Sequence, residues 1–556
     1  MADIWYQGLL FLVLLIGLAV LLGSGMEKLI FGEVPKPLRF LKPLEEGVYR
    51  LIGPMSQHEM TAKRYLFQLL AFEGISFVGL TTLLMVQHYL PGGHAVSNLS
   101  FSLAVNTAAS FVTNTNWQSY SGELQLSNLT QMLGLTTQNF VSCAVGMSVL
   151  FVLVRAFCHA NHALVGNFWQ DLTRSLVYVL LPLSVILTVI LMSQGVVQTF
   201  HSGAMIHPLE GSDSFLHLGP AASQVAIKQL GTNGGGFFGA NSAYPLENPN
   251  TLTTLVESLA ILVVPASLLV AFGRAVKDHK QGWLLLSVCV LFLAVAFMGI
   301  AWSEVHGPQF LHTIGMGNWE GKEVRFGMGW SSIWAAATTA ASNGSVNAQM
   351  DSLMPLGGMV PMFLIQLGEI IFGGAGSGLY GLLAFVLLTV FIAGLLVGRT
   401  PEYLGKKIEA FDIKMVSLVI LTPLLMILVG ALGMVLYPNI HDYLTNSGPH
   451  AFSEILYGAT SWGGNNGSAF GGLLADLPFI NLLGALSMLV GRFVPLIAVI
   501  FLAENLGKKK KIAVSSGTLS TTTPTFLVTL IIVILVIGAL SFLPALALGP
   551  IAEAFL

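Results

Sequence analysis

The sequence predicts an all-α polytopic membrane protein. About ten transmembrane helices carry four pseudo-symmetric helix–pore loop–helix units around one pore. Three observations predict this. The 556 residues are 54% hydrophobic and only 9% charged, whereas soluble domains carry about 25% charged residues. Unbroken apolar runs of bilayer-spanning length recur along the whole chain. Four short polar loops punctuate them at near-regular intervals.

The apolar runs fall at 4–23, 65–90, 131–154, 173–195, 251–272, 282–302, 353–397, 415–437, 477–503 and 525–547. They are too long and too uniformly apolar for β-barrel strands, which alternate over about ten residues. The first run follows Asp3, has no basic residue before it and no small-residue cleavage pattern after it. It reads as a retained spanning helix, not a signal peptide. The run 353–397 is too long for one straight crossing. Gly373, Gly374, Gly376, Gly378 and Gly381 sit in its middle, so a broken helix is expected there.

Lysine and arginine placement gives the orientation. The loop 24–64 and the loops near 155–174, 274–280, 399–414 and 508–511 hold 20 basic residues. The opposite side holds Lys228, Lys322 and Arg325, and Arg492 lies inside a span. The basic side is therefore cytoplasmic and the N-terminus external. The chain divides into an N-terminal spanning helix with its cytoplasmic loop (1–63) and pore units at 64–157, 158–273, 274–400 and 401–508. A C-terminal spanning helix (509–556) follows. The third unit contains the broken helix.

The polar loops are Thr113-Asn114-Thr115-Asn116, Thr232-Asn233-Gly234-Gly235, Ser342-Asn343-Gly344-Ser345 and Asn465-Asn466-Gly467-Ser468. Aligned on Asn114, Asn233, Asn343 and Asn466, they are 119, 110 and 123 residues apart. Each follows a short, mostly apolar stretch (101–112, 220–231, 330–341 and 451–463). All four fall on the external side of a topology assigned without them. Irregular backbone at membrane depth is tolerated only inside protein or beside a water-filled cavity. Helix, polar loop and helix, repeated around an axis, is how a cation filter is built.

The residue types suit that task. A dehydrated cation needs oxygens in place of its water, and glycine and asparagine tolerate the dihedrals that aim carbonyls inward. The preceding helices would direct their partly negative C-terminal ends at the axis. The loops hold no Asp or Glu, which points to a large monovalent ion such as potassium rather than a divalent one. On this alignment Thr115 replaces a glycine, and one well-formed site is expected in place of a queue of sites. Glu123, Glu247, Asp351 and Asp476 follow the loops, either concentrating cations at the outer mouth or standing as solvated charges.

Other chemistries find no support. A net charge of −3 excludes a phosphate-neutralising nucleic-acid binder. Cys143, Cys158 and Cys289 are far apart and read as packing residues. There is no Walker A pattern and no DKTGT phosphorylation motif. The GxGxxG at 376–381 interrupts a membrane span and follows no strand. His88, His159 and His162 lie at or near span ends, a poor basis for haem ligation.

Inside the membrane, Glu369 and Arg492 are expected to pair or meet water, because each unpaired charge costs roughly 2.5–3.5 kcal/mol. They either gate the pore together with Gly373 and Gly374 or pin two helices statically. Glu73 is expected to make a helix-packing hydrogen bond. Arg399, Glu402, Lys406 and Lys407 meet either a partner or lipid, and Lys508–Lys511 reads as a headgroup anchor.

Longer stretches carry a family likeness: NTAASFVTNTNWQSYSGE (106–123), GTNGGGFFGANS (231–242), LGGMVPM (356–362), FGGAGSGLYG (372–381), GRTPEYLGKKI (398–408), NNGSAF (465–470) and SSGTL (515–519). Over essentially its full length the chain resembles the potassium-binding, channel-like subunits of bacterial Kdp potassium-transporting ATPases (the KdpA family). The resemblance implies a fold of the K+ channel/Trk-like superfamily and a non-hydrolytic subunit in the cytoplasmic (inner) membrane. It implies K+ as the transported ion, no organic cofactor, a P-type ATPase partner (KdpB) and two small subunits (KdpC and KdpF). It also implies a gating role for the broken helix and a backbone role for Asn343. A stand-alone passive uptake channel of the Trk/Ktr/HKT type is the rival, and the extra first helix and the glycine-rich break argue against it.

Overall fold

The structure, a computed structural model, describes all residues except 1, 210, 309, 310, 312, 315 and 514–518. Most of the SSGTL stretch at 515–519 therefore lies outside the described residues. Ten of the described helices are long and apolar enough to cross a membrane. They are α1 (Asp3–Ile30), α3 (Ala62–Tyr89), α5 (Asn128–Cys158), α6 (Phe168–Ser193), α8 (Thr251–Ala275), α9 (His279–His306), α12 (Ser377–Val397), α13 (Ala410–Val435), α15 (Pro478–Lys508) and α16 (Pro524–Ala554). A shorter helix, α2 (Lys42–Ile52), follows α1.

Four shorter helices precede the polar loops: α4 (Phe101–Val112), α7 (Ala221–Leu230), α10 (Gly327–Ala340) and α14 (Gly448–Gly463). They coincide with the short apolar stretches of the sequence. Local chemistry sets several starts. Ser100 caps α4 by accepting from Leu103 N, and Asn250 caps α8 by accepting from Leu252 N and Thr253 N. The expected broken helix is present. Its first half is α11 (Pro355–Gln366), its second is α12, and irregular backbone fills 367–376. The break starts earlier than the glycine run suggested, and Gly378 and Gly381 lie within α12.

The loops assigned to one side by charge meet one another. Met60 N donates to Gly166 O (2.7 Å), His162 N to Gly507 O (3.0 Å) and Ile512 N to Gly405 O (2.9 Å). Lys406 Nζ donates to His159 O (2.5 Å) and Lys509 O (2.8 Å). Lys406 is thus buried among loop carbonyls and does not face lipid. At the other end, His450 joins Asp351 (3.0 Å) to Glu553 (2.8 Å) in the last turn of α16. α5 and α8 are buried over most of their length, while α1, α3 and α16 expose most of theirs. The polar loops sit against that inner core. Two small antiparallel strand pairs, Gly203–Ile206 with Ser214–His217 and Glu402–Tyr403 with Lys406–Lys407, were not legible as strands.

Candidate ion-binding site

The four turns are built alike. The first residue of each takes a positive φ: Asn114 (65°), Thr232 (51°), Ser342 (47°) and Asn465 (51°). The third does so again: Asn116 (56°), Gly234 (70°), Gly344 (94°) and Gly467 (96°). Between them, Thr115, Asn233, Asn343 and Asn466 donate their N–H to carbonyls five residues back. The acceptors are Ser110 (2.8 Å), Lys228 (2.9 Å), Thr338 (2.8 Å) and Ser461 (2.8 Å).

This repeat corrects the sequence alignment by one residue in the first loop. Thr115 matches Asn233, Asn343 and Asn466, and Asn116 holds the place of the three glycines. Thr115 therefore does not replace a glycine. Asparagine is the residue other than glycine best suited to positive φ, so both Asn114 and Asn116 are at home there. Two asparagines with a single residue between them made either register readable.

The loops close into a ring. A Cβ on Gly234 would strike Asn343 and Gly344, one on Gly344 would strike Asn466 and Gly467, and one on Gly467 would strike Thr115 and Asn116. The last side is made by asparagines. Asn114 Nδ2 donates to Thr232 O (2.9 Å) and Asn116 Nδ2 to Gly234 O (3.2 Å). Side chains stitch the ring further. Asn343 Nδ2 donates to Lys228 O (3.0 Å), Asn466 Nδ2 to Thr338 O (3.1 Å) and Asn465 Nδ2 to Thr115 Oγ1 (2.9 Å). Ser342 Oγ donates to Gly464 O (3.2 Å). Asn114, Asn233 and Ser142 of α5 share a buried cluster, with Asn233 Nδ2 to Asn114 Oδ1 at 2.5 Å. Buried amide and hydroxyl donors are thus spent on holding neighbouring turns. Asn343 has a definite side-chain role as a clasp, beyond the backbone role expected of it. Gly235, Ser345 and Ser468 follow the turns, and Ser345 N and Ser468 N donate to Asn343 Oδ1 and Asn466 Oδ1.

The break 367–376 packs on this ring. Gly368, Glu369, Phe372, Gly373 and Gly376 all have positive φ. Gly373 N donates to Ala340 O (3.0 Å), at the end of the third pore helix. Ala375 N donates to Thr232 Oγ1 (2.8 Å), in the second loop. A Cβ on Gly374 would lie 3.6 Å from the same oxygen. Glu369 and Arg492 pair at 3.3 Å. Both line one cavity with Asn465, Ser377 and Tyr380.

Comparison with known proteins gives this geometry a family. The family model "Potassium-transporting ATPase A subunit" matches residues 9–555. The chain belongs to this family. A potassium-transporting ATPase potassium-binding subunit of Listeria welshimeri is 56% identical, over 100% of this chain and 99% of that protein. One from Clostridium perfringens is 51% identical with the same coverage. The potassium transporter TrkH of Vibrio parahaemolyticus superposes with a TM-score of 0.54 at 14% identity, covering 90% of this chain and 97% of that one. It shows the shared fold alone.

In this potassium-transporting ATPase subunit, several charges differ from their expected roles. Glu247 is fully buried and pairs with Lys228, which is itself buried in α7. Neither is a solvated loop charge. Lys322 is likewise buried and pairs with Glu304 at 2.8 Å. Asp351 accepts from His450, Glu123 accepts from Gly239 N (2.7 Å) and Asp476 from Asn481 Nδ2 (2.9 Å). Glu73 makes no packing hydrogen bond among the described residues, and its Oε2 is buried without a partner. Lys509 pairs with Glu409 and Asp412, so only part of the Lys508–Lys511 run is free to anchor at headgroups. Sequence reading missed Ser110, Lys228, Thr338 and Ser461. Their signal was present as a residue five before the middle of each turn, a hydroxyl in three of the four.

Proposed function

We propose that this chain is the potassium-binding and translocating subunit of an ATP-driven uptake complex in the bacterial cytoplasmic (inner) membrane, N-terminus outside. The closed ring of four turns carries the reading. Potassium enters from the external side, and backbone carbonyls of residues 113–116, 232–235, 342–345 and 465–468 replace its water. Neutral dipoles suit a large, weakly hydrated monovalent ion. The clasps between turns fix the ring size, so a smaller ion is held at a loss. The chain hydrolyses nothing itself. An ATPase subunit supplies the energy, in keeping with the relatives' names; that it is of P-type and that two small subunits complete the assembly is what the resemblance implies. Division of the chain into an initial helix, four pore units and a final helix accompanies this reading.

The break beneath the ring acts as the gate. Gly373 and Gly374 let the backbone lie close under the turns, and Ala375 N ties it to Thr232. The Glu369–Arg492 pair sets where the segment rests and lines the ion's way onward to the partner. The rival reading from the sequence is a stand-alone passive channel. Coexpression with the partner subunits discriminates. Copurification of an ATPase whose hydrolysis rises with potassium supports the first reading. Potassium flux through this chain alone, with no associated ATPase, supports the second.

A further inference from the structure

A buried charged cluster stands behind the second turn. Lys228, on α7, is held by Glu247 and by Asn241 Oδ1 at 2.9 Å. Glu257, one turn and a half into α8, is fully buried beside them. Its Oε2 accepts from Gln229 Nε2 (3.0 Å) and Ser242 Oγ (3.4 Å). No basic side chain pairs with it among the described residues. Gln229 connects it to the ring, because Gln229 Oε1 accepts from Ser345 Oγ (2.9 Å) and Ser345 lies 2.5 Å from Asn343 Oδ1. Two carboxylates therefore accompany one ammonium, at the end of a pore helix whose last carbonyls already carry partial negative charge.

The geometry points to Glu257 as the fixed counter-charge of the filter. Rested on the transport reading above, the cluster Glu247–Lys228–Glu257 carries one net negative charge that a potassium ion in the neutral ring offsets. The turns themselves offer dipoles only. Both donors converge on Oε2 of Glu257, while its Oε1 is buried without a hydrogen-bond partner among the described residues. Gln229 and Ser345 orient that charge towards the third turn without placing an acid in the ion's first shell. Dehydration by dipoles then sets which monovalent ion fits, and the buried charge sets how tightly it is held. Interaction of two charges across a poorly polarisable interior supports about a tenfold effect on affinity. Glu257 is a positioning residue and does not touch the ion.

The test uses the assembled complex in detergent, with ATP hydrolysis titrated against potassium. Glu257→Gln keeps shape and hydrogen bonds but removes the charge. It is expected to raise the half-saturating potassium concentration roughly tenfold and to leave the maximal rate within about twofold. Glu257→Asp, which keeps the charge, stays within about threefold of the parent. Glu247→Gln removes one unit from the same cluster and shifts affinity in the same direction, so it carries the question if the first variant does not assemble. Unchanged potassium affinity in the assembled Gln variants overturns the proposal. So does a loss of rate equal to the loss of affinity, which marks a purely structural role. A parent complex that shows no potassium dependence overturns the transport reading itself.

Discussion

The ring of turns and the break beneath it use the same backbone device and hold it differently. Both place residues at positive φ, including non-glycine ones: Thr232, Ser342 and Asn465 above, Glu369 and Phe372 below. In the ring, each turn is clasped to its neighbour by buried asparagine amides. The break is tied by the bonds of Gly373 N and Ala375 N, by the long contacts of Cys289 Sγ with Phe372 N (3.4 Å) and Ile370 O (3.8 Å), and by one ion pair of 3.3 Å. Many short, buried bonds make one arrangement the only low-energy one. Few bonds leave a segment able to take a second position. On the proposed reading, the contrast separates a rigid selector from a movable gate within one pore.

Substitution at glycine breaks the comparison most sharply. Gly344→Ala and Gly467→Ala force a Cβ onto the next turn's backbone. At least a hundredfold loss of potassium affinity is expected in the assembled complex. Gly368→Ala has the same positive φ but open space around it. It costs about 1–2 kcal/mol of local strain and should change potassium affinity less than tenfold. Equal effects at the two places would erase the distinction.

Asn343→Ala removes the clasp to Lys228 O and leaves Ser345 N without its acceptor. Unpaired buried groups cost about 1–3 kcal/mol each, so potassium affinity should fall about ten- to hundredfold while assembly survives. Glu369→Gln sharpens the other side. Potassium affinity, read from saturation of ATP hydrolysis, should stay within about threefold of the parent, while ions moved per ATP fall. Unaltered coupling in that variant removes the gate.

The smallest effect concerns neither region. His450, between Asp351 and Glu553, is pushed up to about 10 by hydrogen bonds to those two carboxylates. Its folded pKa is above its unfolded value of about 6.5, so its contribution is fully present below that value. It is lost as pH rises towards 10. Thermal stability should fall over that window, and less so in His450→Gln.

Much of this was legible in the sequence, for physical reasons. Spanning runs report on the bilayer directly, so ten helices and the broken helix followed, and the loops grouped by charge meet one another. The turns were legible because asparagine and glycine mark unusual backbone. Their register in the first loop was not, since Asn114 and Asn116 both satisfy the same dihedral demand. Charge roles were least legible. Glu247, Lys228 and Lys322 look like surface residues by type, and only packing shows that they are buried pairs. Glu73 illustrates the same limit, for whether its Oε2 finds a partner depends on what the neighbouring helices bring near it.

The central claim is that one ion sits inside the ring of turns. A structure of the assembled complex in rubidium, with anomalous difference density, tests it most directly. The expected result is a single dominant peak enclosed by carbonyls of residues 113–116, 232–235, 342–345 and 465–468. An empty ring with density elsewhere, or several equal peaks in file along the axis, would contradict it.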